Sequence, residues 1–113
     1  MSKYILSEQA GASDWIPICM AVHEIVGKLP VTDRSLEKNG ICIENGEVVD
    51  PDYTGPVLEE VIQTGKLQKV TPLTGRYKGV PVLVAPLKDA TNKTMAAIGV
   101  VDITGIFDLA NLM

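Results

Sequence analysis

Gly55-Pro56-Val57-Leu58-Glu59-Glu60-Val61-Ile62-Gln63-Thr64-Gly65 is followed, after a short polar link, by Gly79-Val80-Pro81-Val82-Leu83-Val84-Ala85-Pro86-Leu87 and then by Met95-Ala96-Ala97-Ile98-Gly99-Val100-Val101-Asp102-Ile103. These three runs decide the fold. The first reads as a helix. Thr54 or Gly55 caps it, Pro56 suits its first position, and Glu59 and Glu60 lie where the helix dipole favours anions. Val57, Leu58, Val61 and Ile62 form one apolar stripe, and Gly65 supplies a left-handed stop. The second and third runs read as strands of a long hairpin joined by Lys88–Lys93. The strand over Thr94–Ile103 is the most apolar and so the most central. The strand before it spans Arg76–Leu87, and Pro81 and Pro86 place parts of it at bulges, ends or an open edge. Leu67–Leu73 adds a short edge strand, turned by Thr74-Gly75.

Working toward the N-terminus, Asp50-Pro51-Asp52-Tyr53 breaks the chain before that helix. Gly40–Glu44 and Glu47–Val49 read as two short strands around Asn45-Gly46, a pair that tolerates the positive φ of a tight hairpin. Val31–Asn39 reads as a polar connector. Trp15, Cys19, Val22, Val26 and Leu29 share one face of a first helix, which Ser13 or Asp14 caps and Pro30 ends. Ile18 and Ile25 widen that face. Trp15 is expected to anchor the helix. Beyond Ile103, Thr104 caps a final helix with Ile106, Leu109, Ala110 and Met113 on one face. The expected order is α-β-β-α-β-β-β-α, an α+β domain spanning 1–113 with one five-stranded antiparallel sheet.

Composition narrows the class. At 113 residues, folding hides roughly 65% of the unfolded chain's surface, enough for one core. Hydrophobic residues make up 46% and aromatics only 4%, so the core is built from Val, Ile, Leu, Ala and Met. The net charge of −4 and the lack of a dominant cation cluster argue against nucleic acid. No apolar run approaches the ~18 residues of a membrane span, and the N-terminal run is too short for a signal peptide. These features predict a cytoplasmic protein. Cys19 and Cys42 lie in apolar runs and read as buried free thiols.

The runs Val61-Ile62-Gln63-Thr64-Gly65, Gly79-Val80-Pro81-Val82, Ala85-Pro86-Leu87 and Ile98-Gly99-Val100-Val101 resemble single Cache sensors, within the PAS, Cache and profilin-like group. The resemblance covers a little under half of the chain. It implies a ligand cavity between the sheet and the middle helix. Cache domains usually lie outside the cell between membrane helices, and this chain carries none. The whole chain also resembles a family of short uncharacterised archaeal proteins of methanogens. Its carrying residues are Val22-His23-Glu24, Lys28-Leu29-Pro30-Val31-Thr32, Glu44-Asn45-Gly46, Tyr53-Thr54-Gly55-Pro56-Val57-Leu58, Gly75-Arg76-Tyr77-Lys78-Gly79 and Ile98–Leu109. That resemblance implies an archaeal, intracellular protein and carries over no catalytic residue.

No reaction-specific set emerges. His23-Glu24-Ile25-Val26-Gly27 resembles the zinc-protease helix motif, but Gly27 stands where a second His is required. A Cys19–His23 pair would need an open, electropositive site. Asp50 and Asp52 fit turn chemistry better than a Ca²⁺ loop. The candidate ligand residues are Tyr53, Arg76, Tyr77 and Asp102. Arg76 would clamp an acid, and Tyr77 would offer a hydroxyl beside an apolar ring. Asp102 either caps the last helix or faces the cavity, pairing there with Arg76 or a ligand amine. Gly99 implies close approach by a helix or ligand. These residues predict a non-enzymatic sensory or regulatory module, with no metal and no cofactor, that binds a small carboxylate-type ligand and forms a homodimer through terminal helices or a sheet edge. The alternative is a structural interaction protein with a solid core.

Overall fold

A computed structural model of the chain describes residues 6–103. The elements follow in the order α1 (Ala12–Ile25), β1 (Val31–Ser35), β2 (Asn39–Glu44), β3 (Glu47–Tyr53), α2 (Pro56–Thr64), β4 (Gln68–Val70), β5 (Val82–Lys88) and β6 (Thr94–Val101). The strands form one sheet in the order β3-β2-β1-β6-β5-β4, and every neighbouring pair is antiparallel. Two meanders thus meet at the β1–β6 pair in the middle. The three C-terminal strands are adjacent and antiparallel, and α2 packs on β5 and β6, as the three deciding runs predict.

The sheet has six strands, not five. The polar connector expected over Val31–Asn39 contains β1, which pairs along its length with β6 from Val31↔Val100 to Ser35↔Ala96. Val31-Thr32-Asp33-Arg34-Ser35 holds a single aliphatic hydrophobe, so its position comes from main-chain pairing on both sides rather than from apolar alternation. Two of its buried side chains find partners in the β1–β2 hairpin. Asp33 Oδ1 accepts the Ile41 N–H at 2.9 Å, and Ser35 Oγ accepts the Lys38 N–H at 3.0 Å. The order over the described residues is therefore α-β-β-β-α-β-β-β.

Four other boundaries move, and the first is β3, which runs on through Asp50-Pro51-Asp52 to Tyr53 where a break after Val49 was expected. The long strand expected over Arg76–Leu87 begins only at Val82. Gly75 and Gly79 have φ of +89° and +82°, and the Gly79 N–H bonds Pro72 O at 2.9 Å, so the chain from Thr71 to Pro81 forms a looped strap. Leu67–Leu73 shrinks to the three-residue edge strand β4. The first helix stops at Ile25 because Gly27 and Lys28 both take left-handed φ. The Asn45-Gly46 turn has positive φ at both residues, and Gly65 ends α2 in the left-handed region, both as expected. The final helix expected from Thr104 lies outside the described residues.

The two faces of the sheet carry separate cores. α1 packs on β1, β2 and β3, where Trp15, Cys19, Val31, Ile41, Ile43 and Ala96 are buried. On the opposite face α2 buries Val57, Leu58 and Val61 against Val82, Val84, Ala97 and Val101. Arg34 fixes the start of α2 by donating to Thr54 Oγ1 at 3.0 Å, while the Thr54 hydroxyl donates to Glu59 Oε2 at 2.9 Å.

Candidate functional site

Strand alternation sends Thr32 of β1, Cys42 and Glu44 of β2, Val84 of β5 and Gly99 of β6 to the α2 side of the sheet. The segment after β3 and the start of α2 meet the strap there, and a half-open cleft remains between them. Its apolar lining comes from Pro56, Val57, Leu58, Val82, Val84 and Val101, and its polar lining from Thr32, Tyr53, Arg76 and Tyr77. It measures ≈ 360 Å³ including its open mouth.

Gly99 makes the floor. A Cβ at this position would lie 2.9 Å from both Thr32 Oγ1 and Val84 Cγ2, so only glycine lets these side chains meet there. The hydroxyls of Thr32 and Tyr53 make no hydrogen bond among the described residues. Tyr53 packs beside Gly55, and burial pushes its phenol up to about 12, so it stays a neutral hydroxyl.

A charged cluster stands at one side of the cleft. Arg76 grips Glu44 with two parallel bonds, Nε to Oε2 and Nη2 to Oε1, each 3.1 Å. The Tyr77 hydroxyl donates to Glu44 Oε2 at 2.5 Å, and Cys42 Sγ lies 2.9 Å from Tyr77 Oη. With its only hydrogen spent on Glu44, Tyr77 can only accept from Cys42, so the thiol is the donor. Arg76 and Tyr77 hold the Glu44 carboxyl below its ordinary range, and Glu44 in turn raises the guanidinium. Burial raises the thiol of Cys42 and the phenol of Tyr77. The cluster therefore carries one paired charge couple and two neutral donors. Next to Arg76 the strap meets the first residue of α2, where a Cβ on Gly75 would stand 3.2 Å from Pro56 Cδ.

Of the four residues predicted from sequence, Tyr53, Arg76 and Tyr77 line this cleft and Asp102 does not. Asp102 is buried just past β6, with its N–H bonded to Pro81 O at 3.0 Å. It forms no pair with Arg76, whose carboxylate partner is Glu44. Arg76 and Tyr77 lie on the strap rather than in a strand. Sequence reasoning did not single out Glu44 as a site residue, because its partner lies 32 residues away.

His23 lies under α1, on the other side of the sheet. Its Nδ1 hydrogen goes to Leu29 O at 2.7 Å, and its Nε2 accepts the Gly46 N–H at 3.0 Å. Both ring nitrogens are used, and the ring ties α1 to the β2–β3 turn. Cys19 is fully buried, and burial, reinforced by nearby Asp33, raises its thiol. Neither group opens onto the cleft, and His23, Asp102 and Arg76 do not converge.

The fold and cleft define a class: a small α+β domain whose six-stranded antiparallel sheet carries one helix on each face among the described residues. The chain belongs to the family of uncharacterised proteins conserved in archaea, DUF2111, whose pattern matches residues 22–104. It is 51% identical over 104 residues to an uncharacterised protein of Methanocaldococcus jannaschii, covering 91% of this chain and 79% of the relative. No solved structure matches. Among the described residues, no helix is long and apolar enough to cross a membrane.

Proposed function

We propose that this protein is a non-enzymatic, PAS-like regulatory module that binds a small ligand in the cleft between α2 and the sheet. The observation that carries this reading is the composition of the cleft. An apolar lining, two hydroxyls without hydrogen-bond partners among the described residues and one arginine form the pattern of a small-molecule site, in which a few polar groups orient an apolar body. The two meanders meeting at β1–β6, with a helix between them, support the PAS-like assignment. The only histidine is spent on two main-chain groups, and both thiols are raised by burial, so among the described residues no activated thiol or free imidazole accompanies the cleft.

Thermal-shift screening of the full chain against metabolites is the test. A binder present at 100 times its Kd adds about 2.7 kcal/mol of stability. That gain should vanish when Gly99→Ala fills the cleft floor. A library-wide silence, or ligands whose effect survives Gly99→Ala, would remove the proposal.

A specific observation favours a second reading, an interaction module. Leu73 on the strap is 84% exposed and Ile25 at the end of α1 is 79% exposed. Sedimentation that shows a stable dimer weakened by Leu73→Ser or Ile25→Ser, together with an inert cleft, would select it. The homodimer belongs to this reading as a proposal.

A further inference from the structure

We infer that Glu44 occupies, within the chain, the place of a ligand carboxylate, and that an incoming carboxylate takes Arg76 from it and releases the strap. This deepens the ligand-binding reading and rests on it. Three observations lead here. First, Arg76 already forms the fork-to-fork geometry that guanidinium groups make with free carboxylates, at 3.1 Å on both arms. Second, Arg76 and Tyr77 both line the half-open cleft, so a guest that enters it meets the side chains bound to Glu44. Third, the segment bearing Arg76 and Tyr77 is bracketed by Gly75 and Gly79 at φ of +89° and +82°, and a Cβ on Gly79 would meet nothing within 4 Å. The strap therefore has pivots at both ends of the residues that would have to move.

Charge decides the ligand class. The Glu44 side chain is 26% exposed and lies at the end of β2 beside the Asn45-Gly46 turn, so it can swing into solvent once released. A carboxylate guest would replace it without leaving Arg76 unpaired, whereas a neutral guest would break the pair and offer nothing in return. The rest of the guest would face Val57, Val82, Val84 and Val101, with Thr32 and Tyr53 supplying hydroxyls. The expected class is a small monocarboxylate with an apolar body. Loss of Glu44 also removes the acceptor of the Tyr77 hydroxyl, leaving Cys42 as that group's remaining partner. Ligand exchange at Arg76 is thereby linked to release of the whole strap.

The test uses the full chain as wild type, Glu44→Gln, Glu44→Ala and the double variant Glu44→Ala/Arg76→Gln, with butyrate, benzoate and their neutral amides as probes. Hydrogen exchange reports the strap through the Gly79 and Val80 N–H groups, which bond Pro72 O and Tyr77 O. Amide chemical shifts report affinity. Glu44→Ala should speed strap exchange and tighten acid binding by about tenfold each, the ratio expected for one charge-assisted contact. Glu44→Gln should fall between it and the wild type. The amides should gain nothing, and the double variant should lose the acids. Unchanged strap exchange in both Glu44 variants, equal acid affinity in wild type and Glu44→Ala, or amides that gain as much as acids would each overturn the exchange. Neutral ligands from the wider screen that bind all variants alike would overturn it and still leave the cleft as a binding site. If no compound binds any variant, the exchange and the ligand-binding reading fall together.

Discussion

The two faces of the sheet are built from the same kinds of side chain and finished differently. Under α1, Trp15, Ile41, Ile43 and Val31 are fully buried, and even polar groups are sealed in. Trp15 Nε1 and Asp33 Oδ2 are buried without a hydrogen-bond partner among the described residues. Under α2 the packing stops short, hydroxyls line a cleft, and a salt bridge rather than an apolar plug stands at its side. The difference assigns roles: the α1 face holds the fold together and the α2 face keeps room to change. Substitutions on the two faces should then separate cleanly.

The largest effect is expected at Trp15. Truncation to Ala should cost about 3–5 kcal/mol, the range for emptying a fully enclosed aromatic site. Trp15→Phe should cost less than half of that, because it also removes a buried donor that has no partner. Urea denaturation of the two variants would check this. A loss below ~1 kcal/mol for Trp15→Ala would mean that α1 is only loosely attached, against the packing range for enclosed aromatics.

Asp33 sharpens the contrast through pH. Burial pushes its carboxyl from an ordinary 3.8 up to about 7, although the Ile41 N–H pulls the other way. The groups facing it are the main chain of β2 and the Cys19 thiol of α1. Because the folded pKa is raised, the folded state keeps its proton after the unfolded chain has lost it. The contribution is complete below 3.8 and declines until pH passes about 7. Across that window the wild type should lose about 1.4 kcal/mol per pH unit relative to Asp33→Asn, which keeps the oxygen that accepts from Ile41. A constant difference between the two proteins from acid to neutral pH would contradict the buried, neutral acid.

Legibility in the sequence follows the same division. α2 reads directly, since Pro56, the acidic first turn and Gly65 mark its ends by local chemistry. β6 reads from its unbroken apolar run. β1 does not, because Thr32, Asp33 and Ser35 are buried by neighbours that lie far along the chain. Arg76 and Tyr77 could be picked out as a polar pair beside a strand. Their placement on a strap depends on the positive φ of Gly75 and Gly79, and a strand assignment does not anticipate it. Asp102 drew attention as a charge ending an apolar strand, yet it does not line the cleft, although Val101 beside it does. Glu44 escaped because nothing local distinguishes it from Glu47, and its role is created by contacts 32 and 33 residues away.

Gly99 tests the open face directly. Gly99→Ala places a methyl 2.9 Å from Thr32 Oγ1 and Val84 Cγ2, too close without movement. The expected cost is about 1–3 kcal/mol, as for other overpacked sites, and smaller than that of Trp15→Ala because the cleft gives the neighbours somewhere to go. Equal costs at the two positions, read from the same urea curves, would erase the distinction between a sealed face and a yielding one.

The smallest effect on stability should come from the charged cluster beside the cleft. Arg76 and Glu44 side chains are 43% and 26% exposed, so water and salt screen their attraction. Glu44→Gln should shift global stability by less than about 1 kcal/mol and reduce its dependence on salt. Its pH signature is opposite to that of Asp33. The Glu44 carboxyl is depressed below its ordinary 4.5, so its contribution is present above that value and is lost as pH falls through the folded pKa. Acid should therefore loosen the strap while it strengthens the α1 face. Residue-resolved hydrogen exchange on acidification would reveal this as faster exchange at Gly79 and Val80 with no loss of protection along β1. Simultaneous loosening of both faces would show that the sheet transmits every change, and that strap and sealed core are one cooperative unit.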